Sequence, residues 1–441
     1  MSLRWDLLDS EQTRLIDKAR SRDGIYTIVG PPGAGKTWLG TALGLLKIYE
    51  GGARRVLLDA YPNRAADEFA KALPRLTDET QARNLALRTG FLKSVSPNLL
   101  IDQSNSLTRI LVSKIVVSTS MSLKHLRDMH FDHVIVDEGG ITRLEHLLMP
   151  LKHGVNPHIS PRPEPAWGEN GATLMDFLES LGIQATILGD PKQSRPISPR
   201  FHERSGIEIT MRKGYDTLHN THRMAPDNAH LVNDFARYGG LESTEEARDR
   251  RLILNEAPTP ILRAIINPED TITMVNVIRG GDEPSGLLST VNRTVAAAVV
   301  RICRELVRIT RNKSILVMTV YGSQRDVIEE MFFQAGLSDI PVATTSGGVG
   351  VQADIVVVAL ARNNPEFYMG KEGDLPELNV AISRAREKLI IVGNIEMLRK
   401  GLATLPTASR SAWRSPSRDL GWLLEHRYSR VVDAPLEITI C

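Results

Sequence analysis

The 441-residue chain reads as an α/β protein of two tandem lobes, each a mainly parallel sheet with helices on both faces. Three observations lead there. Short runs rich in Val and Ile recur along the chain, each run is followed by a turn and a helical pattern, and the whole series begins again near residue 213. Strands that are apolar on both sides belong in a parallel sheet covered on both faces. The length suffices for two or three domains, each with its own core.

Composition narrows the classes. With 42% hydrophobic and 24% charged residues the chain is expected to fold throughout rather than stay disordered. Lys and Arg total 54 against 52 Asp and Glu, so a polyanionic partner must be held by a local groove, not by bulk charge. Two cysteines, Cys303 and Cys441, exclude a disulfide framework and a Cys-rich zinc site and suit a reducing compartment. The opening "MSLRWDLLDSEQ" lacks the apolar run of a signal peptide, and "DIVVVALA" is too short to cross a bilayer. The expectation is a soluble intracellular protein with no membrane partner, cytoplasmic ahead of nuclear.

Lobe one is expected over residues 1–212. Its strands are "GIYTIVG", "ARRVLLDA", "KIVVSTS", "FDHVIVDE" and "QATILGD", with a helical insertion at about 71–110. A second insertion at about 152–175 contains "HISPRPEPAWGENGA", whose Pro and Gly density reads as a surface loop. Lobe two is expected over 213–403, with strands "KSILVMTV", "IPVATTS", "ADIVVVALA" and "KLIIVGN" between helical stretches such as "TVAAAVVRICRELVRI". Residues 404–441 read as a polar linker and a short C-terminal helix that docks on lobe two.

Between the first strand and a helix lies "GPPGAGKT". Gly30, Gly33 and Gly35 let the backbone turn tightly, so that its N–H groups and the helix N-terminus face phosphates. Lys36 reaches the outer phosphates, and Thr37 offers a hydroxyl to Mg²⁺. "VIVDEGG" supplies a second half: Asp137, at a strand end, holds Mg²⁺ through a water, and Glu138 orients or deprotonates the attacking water. These elements define a nucleotide hydrolase and leave open what the triphosphate drives.

The remaining motifs come in a fixed order: "LDSEQTRLI", "LLDAYPNRAADEF", "IVVSTSMSL", "LGDPKQSRPI", "LHNTHRMAP", "MTVYGSQRDVI" and "LNVAISRAREKLIIVGN". From residue 8 to about 400 this series resembles the superfamily 1 helicases, in the branch typified by the RNA helicase of nonsense-mediated decay. The resemblance implies two RecA-like lobes with ATP and Mg²⁺ as cofactors. It makes Gln12 the contact to the base, against the competing reading of an ordinary helix start capped by Asp9 or Ser10. Tyr61, Pro62 and Asn63 would line a strand-binding groove. Ser118, Thr119, Ser120 and Thr344 would join them, hydroxyls and backbone N–H groups holding phosphates without reading bases. Asp190 ends a strand, Gln193 would sense the γ-phosphate, and Pro196 begins the exit turn.

In lobe two, Arg223 would be presented to the nucleotide, while Tyr321, Gln324 and Arg325 would line the cleft. Arg384 would reach the γ-phosphate, with Arg386 just beyond it. His219 and His222 read as capping or packing residues, since no acidic or thiol partners cluster with them in sequence. An arginine supplied in cis is worth about 10³ to 10⁵ in rate, and it acts only when the cleft is shut. The implied function is therefore ATP-dependent 5′ to 3′ translocation on single-stranded nucleic acid, RNA ahead of DNA. The motor is expected to be monomeric, with membership of a larger replication or RNA-processing assembly left open.

The match has departures. Where the family carries Gln-Gly and then a charged pair, this chain has Val349-Gly350 and Val351-Gln352, so the coupling of nucleotide to strand is in question. "DEGG" replaces the usual Ala and polar residue after the acidic pair. No zinc-rich segment precedes residue 8, so control by that route is not expected. Aromatics are only 5%, which limits base stacking to residues such as Tyr61, Trp167 and Tyr321. A nucleotide-switched clamp or ribonucleoprotein remodeller that does not unwind duplexes stays open as the alternative. A small-molecule kinase would leave the second lobe unexplained.

Overall fold

Eight strands form the first sheet: β1 (Ile25–Val29), β2 (Val56–Ala60), β3 (Ala86–Arg88), β4 (Asp102–Gln103), β5 (Ile115–Thr119), β6 (His133–Asp137), β7 (Ala185–Gly189) and β8 (Asp216–Thr217). The computed structural model describes residues 3–90, 99–126, 129–155, 174–193, 205–285, 289–348, 350–403 and 416–439. The spatial order is β4-β3-β5-β2-β6-β7-β1-β8, and every pairing is parallel.

The five-residue strands β1, β2, β5, β6 and β7 are buried along their whole length because the pleat sends alternate residues to two separate cores. Val56 and Leu58 pack with Leu39, Leu43 and Phe69 on one face, while Leu57 packs with Leu147 and Ile207 on the other. Register places Ala60 beside Thr119 and Asp137, and Val29 beside Gly189. The C-terminal strand ends are thus level along one edge, where open parallel sheets collect ligands.

The second sheet orders as β15-β14-β16-β18-β11-β20, again all parallel. Its strands are β11 (Ile272–Asn276), β14 (Ile315–Thr319), β15 (Val342–Thr344), β16 (Ala353–Ala359), β18 (Ala385–Gly393) and β20 (Arg430–Asp433). Three short pairs, β9 (Asn220–Thr221) with β10 (Glu242–Ser243), β12 (Glu283–Ser285) with β13 (Ser289–Val291), and β17 (Tyr368–Gly370) with β19 (Leu402–Ala403), lie outside it. The amphipathic helix Arg293–Ile309 covers one face through Val299, Ile302 and Leu306. The helix Pro226–Ala236 covers the other through Leu231, Val232 and Phe235. The chain divides into two compact units, Met1–Pro191 with Arg195–Leu218, and Lys192–Ser194 with His219–Cys441.

Two local expectations are corrected. The segment 71–110 is not simply helical: after helices Asn63–Leu76 and Glu79–Leu85 it adds β3 and β4 to the sheet edge. The C-terminal segment is more than a linker and one helix. Helix Pro416–Leu423 buries Leu420 and Leu423 on one face of the second sheet, β20 pairs with β11, and helix Leu436–Thr439 brings Ile438 to the opposite face. Trp167, Pro196, Val349, residues 156–173 of the Pro-rich insertion and residues 404–415 lie outside the described residues.

Candidate nucleotide and strand site

The loop after β1 is shaped by its glycines. Gly33 and Gly35 take φ of 77° and 72°, a left-handed conformation that costs side-chain-bearing residues energy, and helix Lys36–Tyr49 starts directly after them. Gly30 admits Lys36: a Cβ there would lie 3.0 Å from the Lys36 Cγ. The Lys36 ammonium donates to the carbonyls of Gly30 at 2.8 Å and Pro31 at 3.2 Å.

Gln12 is joined to this loop. Asp9 caps helix Ser10–Ser21 by accepting from the Gln12 N–H at 2.7 Å, and Gln12 Oε1 accepts from the Asp9 N–H at 3.2 Å. Gln12 Nε2 donates to the Ala34 carbonyl at 3.2 Å. The helix-start reading is therefore realised, and the same buried side chain braces the phosphate loop.

Thr37 Oγ1 donates to Asp137 Oδ2 at 2.5 Å, and the Glu138 N–H donates to Asp137 Oδ1 at 2.7 Å. Burial pushes the Asp137 carboxyl up, against the lowering influence of the Thr37 hydroxyl, the Lys36 charge and the Glu138 N–H. A hydroxyl and a buried carboxylate side by side are hard oxygen donors, the set that suits Mg²⁺, and a cation beside Asp137 would offset its lost hydration. Among the described residues no group of three or more His, Cys, Asp and Glu gathers for a metal. Glu138 has φ of 57°, rare for a residue with a side chain, in the turn that leaves β6.

The predicted strand contacts divide into two groups. Tyr61 is half-buried and stacks on His146 at 4.8 Å, and Asn63 accepts from Arg88 Nη2 at 3.2 Å from the start of helix Asn63–Leu76; Pro62 precedes it. Thr344 accepts from the Gly347 N–H at 3.1 Å and is partly exposed. Ser118, Thr119 and Ser120 are buried instead. Ser120 donates to Asp59 Oδ2 at 2.5 Å, Thr119 to Ser122 Oγ at 2.9 Å and Ser118 to the Thr119 carbonyl at 3.4 Å. These hydroxyl donors serve acceptors within the protein, as a covered strand end requires. Asp59, pushed up to about 7 by burial, needs the Ser120 donor.

The second unit holds its candidates more deeply than expected. Tyr321 is 4% exposed, its hydroxyl accepts from Arg362 Nε at 3.0 Å, and Gln324 is buried with both amide atoms on the backbone of Asn292. Arg325 pairs with Asp326 on the surface, and Gln193 is nearly buried. Arg384 is 2% exposed, with Nε donating to the Val380 carbonyl at 3.1 Å, while Arg386 forms an ion pair with Asp354 at 3.6 Å. Arg223 Nε donates to Gln352 Oε1 at 2.8 Å and Nη1 to the Ser383 carbonyl at 3.0 Å. Sequence reasoning passes over Arg88, a fully buried guanidinium bonded to Asp67, Asn63 and the Thr89 carbonyl. The one signal is an arginine inside the apolar run "LALRTG".

Known proteins resemble this chain over different spans. The family described as "AAA domain" matches residues 202–396. The Regulator of nonsense transcripts 1 homolog of Drosophila melanogaster is 31% identical over 187 residues, 41% of this chain and 15% of that protein. The DNA replication ATP-dependent helicase/nuclease DNA2 of Saccharomyces cerevisiae is 23% identical over 424 residues, 88% of this chain and 26% of that protein. A solved PRRSV helicase is 13% identical, with 87% of this chain and 54% of that one covered at a TM-score of 0.41. The chain is thus similar to ATP-dependent helicases of superfamily 1. It spans less than a third of the length of the curated relatives it matches.

Proposed function

We propose that the chain is an ATP-driven translocase on single-stranded nucleic acid, moving 5′ to 3′ and acting on RNA ahead of DNA. The observation that carries this reading is the contact of Thr37 with Asp137 beside Lys36, a phosphate loop and an acidic strand end meeting across 100 residues of sequence. In this reading the loop N–H groups and Lys36 hold the triphosphate, and Thr37 and Asp137 hold Mg²⁺. That ion, when bound, neutralises charge on the phosphates. Glu138 takes the proton of the attacking water. Gln193 senses the γ-phosphate, and Gln12 contacts the base while bracing Ala34.

Arg223 and Arg384 supply positive charge to the transferring phosphoryl group. Arg384, buried in the structure, must be brought out, so turnover is tied to a conformational change that a bound strand follows. Tyr61, Pro62, Asn63 and Thr344 contact the strand by side chains, and residues 118–120 by main-chain N–H groups. The matched relatives' names point to transcripts in one case and DNA replication in the other, so the sugar preference rests on the motif series. The chain works as a monomer, alone or within a replication or RNA-processing assembly. No helix among the described residues is long and apolar enough to cross a membrane.

The test is steady-state ATP hydrolysis by the chain alone, with single-stranded RNA and with single-stranded DNA of matched sequence. RNA should stimulate most, and Lys36→Ala should abolish turnover. Hydrolysis indifferent to both strands would sink the reading. The inward-turned hydroxyls of Ser118 to Ser120 and the substituted Val349–Gln352 segment favour one alternative, a nucleotide-switched clamp. It would show nucleotide-dependent affinity for RNA with no strand displacement.

A further inference from the structure

The substituted segment is where the second unit's arginines are held. Gln352 accepts from Arg223 Nε at 2.8 Å, and the next residue, Ala353, donates its N–H to the Arg384 carbonyl at 3.2 Å. Arg223 Nη1 reaches the carbonyl of Ser383, immediately before Arg384. The Ala225 N–H donates to the Arg386 carbonyl at 2.8 Å, and Arg250 donates to the Arg223 carbonyl. Gln352 and the residue that follows the segment, Ala353, therefore touch the two candidate phosphate-reading arginines, Arg223 through the Gln352 side chain and Arg384 through main chain.

We propose that Gln352 is the positioning residue for Arg223, a neutral acceptor standing where the branch carries a charged pair. The inference rests on the reading above, in which Arg223 faces the nucleotide. Its physical logic is that an amide oxygen orients a guanidinium without cancelling its charge. A carboxylate at the same place would bind more strongly, since hydrogen bonds between charged groups are roughly twice as strong as neutral ones. It would also compete with the phosphate for the same cation. A neutral partner keeps Arg223 aimed and its charge available. The coupling that the sequence puts in question is thus supplied by Gln352 through Arg223.

The experiment uses the full chain with Gln352→Ala and Gln352→Glu, each alone and combined with Arg223→Ala. Two quantities are read: kcat and KM for ATP with saturating single-stranded RNA, and the preference for a non-hydrolysable ATP analogue over ADP in direct binding. Gln352→Ala should lower kcat roughly 2- to 10-fold, the value of one neutral hydrogen bond, with KM little changed and a parallel fall in analogue preference. Gln352→Glu should lower kcat as well, by holding Arg223 in an ion pair. In the Arg223→Ala background neither change should alter the binding preference further. Additive losses in that background, wild-type behaviour of Gln352→Ala, or a loss explained by a lower unfolding midpoint would overturn the proposal while leaving the motor reading intact. A wild-type chain that neither hydrolyses ATP nor prefers the analogue would overturn both.

Discussion

Gly140 shows how tightly single positions are constrained beside the acidic pair. A Cβ there would lie 2.1 Å from the Asp190 carbonyl oxygen, and one on Gly189 would lie 2.8 Å from the Gly140 nitrogen. The ends of β6 and β7 pass backbone against backbone, which explains why two glycines follow Asp137-Glu138 in place of the branch's usual residues. Gly140→Ala should cost about 1–3 kcal/mol, as overpacking does, and reduce ATP turnover by parting the strand that carries Asp137 from that leading to Asp190. Gly322→Ala, at a position with nothing within 4 Å, is the control expected to leave the thermal midpoint unchanged. His133 makes a pH prediction. Burial, with a smaller contribution from Lys47, pushes its imidazole down to about 3 from an ordinary value of 6.5. Between those values the unfolded chain takes a proton that the native state refuses, so this residue's contribution to stability falls as pH drops from about 6.5 to about 3. His133→Gln, which keeps a partner for Thr186, should flatten the pH dependence of the urea midpoint across that interval.

Among the elements, the C-terminal tail carries the clearest prediction. β20 pairs with β11 over Thr273 to Asn276, Asn276 Nδ2 donates to Asp433 at 2.8 Å, and Ile438 closes the core under helix Arg293–Ile309. Truncation after Tyr428 should bare the β11 edge, a ready template for unwanted pairing. The second unit should then unfold at lower temperature and aggregate, while the first, with its own core, keeps its midpoint; protease mapping during a thermal ramp distinguishes them. The sequence shows the strands of the first sheet well because "YTIV", "VLLD" and "VIVD" are continuous apolar runs. It does not show β11, "ITMVN", or β20, "RVVD". Interspersed polar residues hide the first, and four residues with charged ends carry no usable periodicity. Their pairing is a long-range event, with partners more than a hundred residues apart.

For the molecule as a whole, the balance of 54 basic and 52 acidic residues means that strand affinity must come from a few local contacts. Several surface arginines are already matched, Arg399 with Glu396 and Glu425, and Arg308 with Glu256 and Glu305. Affinity for a single strand should fall about twentyfold between 50 and 200 mM salt, as for roughly three phosphate contacts. Titration by fluorescence anisotropy checks this. A salt-independent affinity would point to stacking and base contacts in place of phosphate contacts.

The phosphate loop, the acidic pair and the two-sheet plan were legible in the chain because each depends on neighbours within a few residues: glycines that permit a turn, a lysine and threonine opening a helix, apolar runs that need cover on both faces. Which polar groups are spent inside the protein was not legible. Ser120 meets Asp59 across 61 residues, Arg88 meets Asp67 across 21, and Arg223 meets Gln352 across 129. A hydroxyl or guanidinium at a strand end carries the same local signature whether it faces solvent or a buried acceptor. The choice is made when strands distant in sequence come into register and every buried polar group must find a partner. That is why the glycine-rich turn and the helix after it could be read from eight consecutive residues, and why the inward turn of Ser118 to Ser120, the burial of Tyr321 and the hold of Gln352 on Arg223 became visible only in the folded chain.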